Sequence, residues 1–68
     1  MVIKLLESTK VFYQETHEHE FEIDGEKHTL VVFDSPDEQR YWFDDEEYYG
    51  REDSVMVGLT IEDLLSWV

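Results

Sequence analysis

The run His17-Glu18-His19-Glu20-Phe21-Glu22-Ile23-Asp24-Gly25-Glu26-Lys27-His28-Thr29-Leu30-Val31-Val32-Phe33 alternates in character, breaks at Asp24-Gly25, and resumes as an apolar stretch. Asp-Gly is a favoured two-residue hairpin turn, because both central positions need positive φ. Ile23 then faces Glu26, and the register follows: Glu22 with Lys27, Phe21 with His28, Glu20 with Thr29, His19 with Leu30, Glu18 with Val31 and His17 with Val32. Upstream, the extended pattern reaches back to Lys10, with Val11, Tyr13, Phe21 and Ile23 at one parity and Glu18, Glu20 and Glu22 at the other. Leu30 to Phe33 is apolar on both faces, which marks a central or covered strand.

Working outward, Asp34-Ser35-Pro36-Asp37-Glu38 is dense in turn formers, and Tyr41-Trp42-Phe43 follows as a third antiparallel strand. Asp44 to Asp53 reads as an acidic loop in which Tyr48-Tyr49-Gly50 forms a turn or a short helical start. Val55-Met56-Val57 is a further short strand. Thr60 has the chemistry of an N-cap, Asp63 stands at the third helical position, and Leu59 is placed to staple against Leu64. Ile61, Leu64, Leu65 and Val68 recur at helical spacing. Met1 to Glu7 fits either an edge strand or a helical turn. The expected architecture is α+β: a small antiparallel sheet of three or four strands with a short C-terminal helix packed on one face. A chain of 68 residues buries only about 60% of its unfolded surface, so one domain over residues 1–68 is expected.

With 41% hydrophobic and 15% aromatic residues, the chain is too apolar for the composition of intrinsic disorder. Cysteine is absent, which excludes a disulfide framework and a thiolate zinc site and fits a reducing compartment. The apolar stretch Met1 to Leu6 is too short for a signal peptide or a membrane span, so a cytoplasmic protein without membrane association is expected.

Charge is the dominant signal: 18 acidic residues against 5 basic ones give a formal net charge of −13. Such a field repels nucleic acid and anionic membranes, and it exceeds the magnitude of about 2 to 8 that suffices for solubility. Residues 15–27 hold six acids and one lysine, a net of −5, and residues 34–53 hold nine acids and two arginines, a net of −7, which leaves −1 elsewhere. Glu18, Glu20 and Glu22 point the same way on a strand, roughly 6.5 to 7 Å apart. Phosphates step through space along a nucleic-acid strand at an interval on the order of 7 Å. The candidate partner-binding residues are therefore Glu15, Glu18, Glu20 and Glu22 in the first patch. Asp44, Asp45, Glu46, Glu47, Glu52 and Asp53 form the second, with Tyr48 and Tyr49 beside them as interface aromatics. The ordinary alternative is that strand glutamates only keep a sheet edge from aggregating, and that Tyr41, Trp42, Phe43, Tyr48 and Tyr49 serve mainly as core. Trp67 reads as a core or dimer contact.

In chain length, in the Glu18/Glu20/Glu22 alternation and in the Asp44 to Glu47 run beside aromatics, the sequence resembles the small acidic DNA-mimic proteins of bacteriophages. Those inhibitors take part in host takeover by blocking host DNA-binding proteins such as the nucleoid protein HU, uracil-DNA glycosylase, restriction enzymes or CRISPR nucleases. The resemblance implies a basic DNA-binding protein as partner, with an HU-type protein favoured because a broad basic path suits a broad acidic surface, and glycosylase or nuclease next. It also implies the cytoplasm of a host cell, and a possible homodimer that would double the mimicked length. The alternative is an acidic adaptor or antitoxin-like module that binds a basic partner without DNA mimicry.

His17, His19 and His28 share one face in the hairpin register, yet a two-apart histidine pair with one cross-strand neighbour is a common coincidence, and no metal site is assigned. Paired glutamates are the groups of acid and base chemistry, but nothing in the sequence implies a cleft. Asp44 to Asp53 lacks the ligand spacing and mid-loop glycine of an EF-hand. No catalytic residue and no cofactor is assigned, and a non-enzymatic binding protein is expected.

Overall fold

The structure, a computed structural model, describes residues 1–10 and 15–68. Strand β1 (Ile3–Lys10) is followed by β2 (Thr16–Ile23), β3 (Glu26–Asp34), β4 (Gln39–Phe43) and β5 (Glu46–Tyr48), which form one antiparallel sheet in chain order. A two-stranded ribbon, β6 (Ser54–Met56) and β7 (Leu59–Thr60), runs into a short helix, α1 (Ile61–Leu65).

The β2–β3 hairpin has the register that Asp24-Gly25 dictates, from Ile23 opposite Glu26 to Thr16 opposite Phe33. Asp24 and Gly25 sit at φ 50° and 86°, the positive pair of a primed turn whose twist matches that of the strands. A second hairpin of the same kind was not read from the sequence. Asp44 and Asp45, at φ 50° and 68°, turn β4 directly into β5, so the expected loop from Asp44 to Asp53 contains a three-residue strand, Glu46–Tyr48.

Lys10 belongs to β1 and lies opposite His17, which ends the reading of Lys10 to Ile23 as one strand; Val11 and Tyr13 lie outside the described residues. Met1 to Glu7, left open between strand and helix, enters the edge strand at Ile3. Near the middle of β1 a bulge falls between Leu5 and Glu7, since Leu5 pairs with Phe21 and Glu7 with Glu20. The extra residue, Leu6, shifts parity. Glu7 is thereby brought to the face of Glu20, and Ser8 to the face of His19.

Alternation gives the sheet two unlike faces. Phe21, Ile23, Leu30, Val32, Tyr41 and Phe43 project to one side and are buried there with Leu59, Ile61 and Leu64 from the C-terminal segment. At about 1.5 to 3 kcal/mol for each large apolar side chain, this is the cluster that holds the fold. The loop before the ribbon locks it: Arg51 donates from Nε to the Tyr41 hydroxyl at 3.2 Å and from Nη1 to Glu62 at 3.0 Å, while the Arg51 and Asp53 carbonyls accept from the Glu62 and Ile61 amides.

The expected α+β architecture of three or four strands with a covering helix is therefore corrected. Among the described residues the fold is mostly antiparallel sheet, five strands plus two, with a helix of five residues. The helix start is where the capping signal put it: Thr60 Oγ1 accepts from the Asp63 amide and Asp63 Oδ2 from the Thr60 amide. It does not run on, because past Leu65 no apolar side chain finds the core. Trp67 is 51% exposed and Val68 57%, so neither is a core residue. Among the described residues no helix is long and apolar enough to cross a membrane.

Candidate functional site

The face of the sheet turned away from the core is the candidate site. Cross-strand partners share a face, so the pairing places Lys4, Glu7 and Thr9 of β1 there, with Glu22, Glu20 and Glu18 of β2 beside them. Lys27, Thr29, Val31 and Phe33 of β3, Trp42 and Arg40 of β4, and Glu47 of β5 complete it. None of Val31, Phe33 and Trp42 belongs to the buried cluster or to the side chains packed against it.

Glu18, Glu20 and Glu22 stand in one column on this face, half-buried between β1 and β3. Their surroundings differ. Glu22 lies 4.0 Å from Lys4 Nζ and stands directly opposite Lys27 in the register. Glu20 instead faces Glu7 and Thr29, and Glu18 faces Thr9 and Val31. Like charges directly opposite destabilise a sheet, so Glu7 against Glu20 is a local cost. The uncompensated carboxylates of the face are Glu7, Glu18 and Glu20.

Glu7 was missed by sequence reasoning. From Ile3 and Leu5 its parity points to the core side, and only the bulge at Leu6 reverses that; no glycine marks the bulge. Val31, Phe33 and Trp42 were read as strand residues, and their position away from the core follows from the register.

The second acidic patch does not form one surface. Asp44 is structural: its Oδ2 lies 2.5 Å from His28 Nδ1 and its Oδ1 accepts from the Thr29 amide at 3.1 Å. Asp53 Oδ2 accepts from the amides of Tyr49 and Gly50, both at 3.1 Å, and so builds the turn after β5. Glu47 on the open face is ion-paired with Arg40, whose guanidinium also lies over the Trp42 ring, 5.6 Å from its centroid. Glu46 and Tyr48 project to the other side, where the Tyr48 hydroxyl donates to Glu46 at 3.1 Å. Burial and then the neighbouring carboxylates of Glu46, Asp44 and Asp53 raise the Tyr48 pKa. Asp45, Glu52 and Tyr49 are exposed, Tyr49 to 76%. Glu15 is exposed at the entrance to β2, its carbonyl accepting from the Asp34 amide.

The three histidines separate. The rings of His17 and His19 stack, 6.3 Å between centroids, whereas His28 stacks on Phe43 and turns to Asp44. His19 is buried with its Nδ1 2.8 Å from Ser8 Oγ; burial, then the neighbouring His17, lowers its pKa. Among the described residues no three potential ligands converge on a metal position, and no pocket is enclosed. Chemically, the arrangement offers an exposed sheet face with carboxylates along one side and an apolar strip along the other. In comparison with known proteins, the chain matches no family model, no curated protein and no solved structure.

Proposed function

We propose that the protein binds the cationic DNA-binding surface of a partner protein in the cytoplasm and keeps DNA from it, its carboxylates standing where phosphates would be. An HU-type nucleoid protein is the favoured target, with uracil-DNA glycosylase and nucleases next. One observation carries this reading: Glu7, Glu18 and Glu20 are brought to a single face of a rigid sheet, with Glu22 continuing the column. On β2, Glu18, Glu20 and Glu22 are held at strand spacing of roughly 6.5 to 7 Å, with Glu7 directly across from Glu20, and they meet lysines and arginines set to grip a phosphate backbone. The role falls to the sheet more than to the Asp44–Asp53 segment, because Asp44, Glu47 and Asp53 are engaged in contacts within the fold.

The test is displacement. Labelled duplex DNA bound to a purified HU-type nucleoid protein should be released as this protein is added, and release should weaken as NaCl rises. The combined Glu18→Gln, Glu20→Gln and Glu22→Gln variant should release DNA poorly. Full DNA binding in the presence of saturating wild-type protein would overturn the proposal for that target.

A second reading, an acidic adaptor or antitoxin-like module, is favoured by the strip of Val31, Phe33 and Trp42 on the same face, which mimicry of a polyanion does not require. On that reading the partner binds the face and keeps its DNA.

A further inference from the structure

A sheet that carries apolar residues on both faces needs a cover on both. The ribbon and α1 supply one cover, through Leu59, Ile61 and Leu64. Over the other face, no described element contributes to a second cluster. Val31 and Trp42 are direct cross-strand partners there, and Phe33 is the next residue of β3 on the same side, opposite Arg40. The three are partly exposed. On β2, directly beside Val31, stands Glu18, with Glu20 next along and Glu7 across from it. From β2 to β4 is two strand spacings, about 10 Å, which is the width of one helix with its side chains.

We propose that this open face docks a basic amphipathic helix supplied by the partner, with apolar side chains on Val31, Phe33 and Trp42 and lysines or arginines on Glu7, Glu18 and Glu20. The proposal rests on the reading of a basic partner at this face and deepens it: charge brings the helix in, and the strip holds it. Charge complementarity selects the occupant. A second copy of the chain would bring its own carboxylates against Glu18 and Glu20, and an anionic membrane would meet the same repulsion. Trp42 already has a guanidinium over its ring, that of Arg40, an attraction a partner cation near the strip would share.

The test uses Trp42 as its own reporter. Trp67, half-exposed and outside the core, is changed by Trp67→Phe, which leaves Trp42 as the single indole. Two synthetic peptides of about 18 residues, long enough to hold a helix, are titrated against it. One has lysines on one flank and leucines on the other; the second has each leucine replaced by glutamine. The leucine peptide should shift Trp42 emission to the blue and bind about tenfold tighter than the glutamine peptide. Val31→Thr with Phe33→Thr should remove that preference with the far-ultraviolet circular dichroism unchanged, and Glu18→Gln with Glu20→Gln should weaken both peptides. Equal, salt-sensitive binding of the two peptides overturns helix docking while leaving the DNA-competition reading intact. A clear preference for the leucine peptide, with DNA still held by the nucleoid protein, does the reverse. A blue shift that grows with protein concentration alone makes a second copy the occupant and overturns the proposal.

Discussion

Asp44 and Asp45 occupy the two central positions of one hairpin turn, both at positive φ, where an L-residue with a Cβ is strained by roughly 1 to 2 kcal/mol. Asp44 offsets that strain with its contacts to His28 and the Thr29 amide; Asp45 is exposed. Asp44→Ala should therefore destabilise by about 2 kcal/mol, and Asp45→Gly should stabilise by about 0.5 to 1 kcal/mol, both read as shifts of the urea midpoint. His19 gives a pH dependence of definite sign. Its pKa is lowered in the fold by burial and by His17, so the unfolded chain takes up a proton that the folded chain resists. The stability this contributes is complete above about pH 6.5, the unfolded value, and is lost as the pH falls through the lower folded value. His19→Gln, which keeps a polar partner for Ser8, should flatten the fall in urea midpoint between neutral and mildly acidic pH. Parallel profiles for the two proteins would assign that fall to other groups.

The strands were legible wherever a local signal had only one physical solution. Asp24-Gly25 fixes a two-residue turn, and with it every pair from Ile23 to His17. Leu30 to Phe33, apolar on both sides, marks a central or covered strand, and β3 is the middle one of five. Asp44-Asp45 turns the chain just as tightly but without the glycine, so β5 was hidden in what looked like an acidic loop. The bulge at Leu6 left no mark either, since its effect is a register shift against β2, a relation between distant residues. The helix shows the limit of periodicity: Ile61, Leu64, Leu65 and Val68 have the spacing, but contact with the core and the helix both end at Leu65. What remains decisive in α1 is its start. Thr60→Ala removes the acceptor for the Asp63 amide and should cost about 1 kcal/mol, visible as a lower urea midpoint. Because Leu59 and Ile61 on either side are buried, the cap also positions the lid over the core, so loss of the cap should speed proteolysis at the C-terminal segment.

Of the candidate acids, those on β2 were legible as one surface because strand parity is a local property. Those from Asp44 to Asp53 were not, because which carboxylate is drawn into a turn depends on where the turn folds. The net charge of −13 nevertheless acts on the protein in full, and it couples stability to binding through a single variable, ionic strength. Within the fold like charges outweigh opposite ones: Glu7 faces Glu20, while Lys4, Arg40 and Arg51 are each already committed to a carboxylate. Screening shortens the reach of these charges from about 30 Å at 0.01 M salt to about 3 Å at 1 M. It removes the many longer repulsions and costs only a few exposed ion pairs, each worth about 1 kcal/mol or less. Added NaCl should therefore stabilise the fold, by an amount on the order of 1 kcal/mol, with a smaller gain in the Glu18→Gln, Glu20→Gln, Glu22→Gln variant. Attraction to the proposed basic partner would be screened by the same ions, so affinity for it should fall over the very range in which the urea midpoint rises. The opposite signs separate the two effects: binding lost at high salt cannot then be a loss of folded protein. A urea midpoint that falls with NaCl would mean that attractive pairs outweigh repulsion in this fold, and the surplus of carboxylates would need another account.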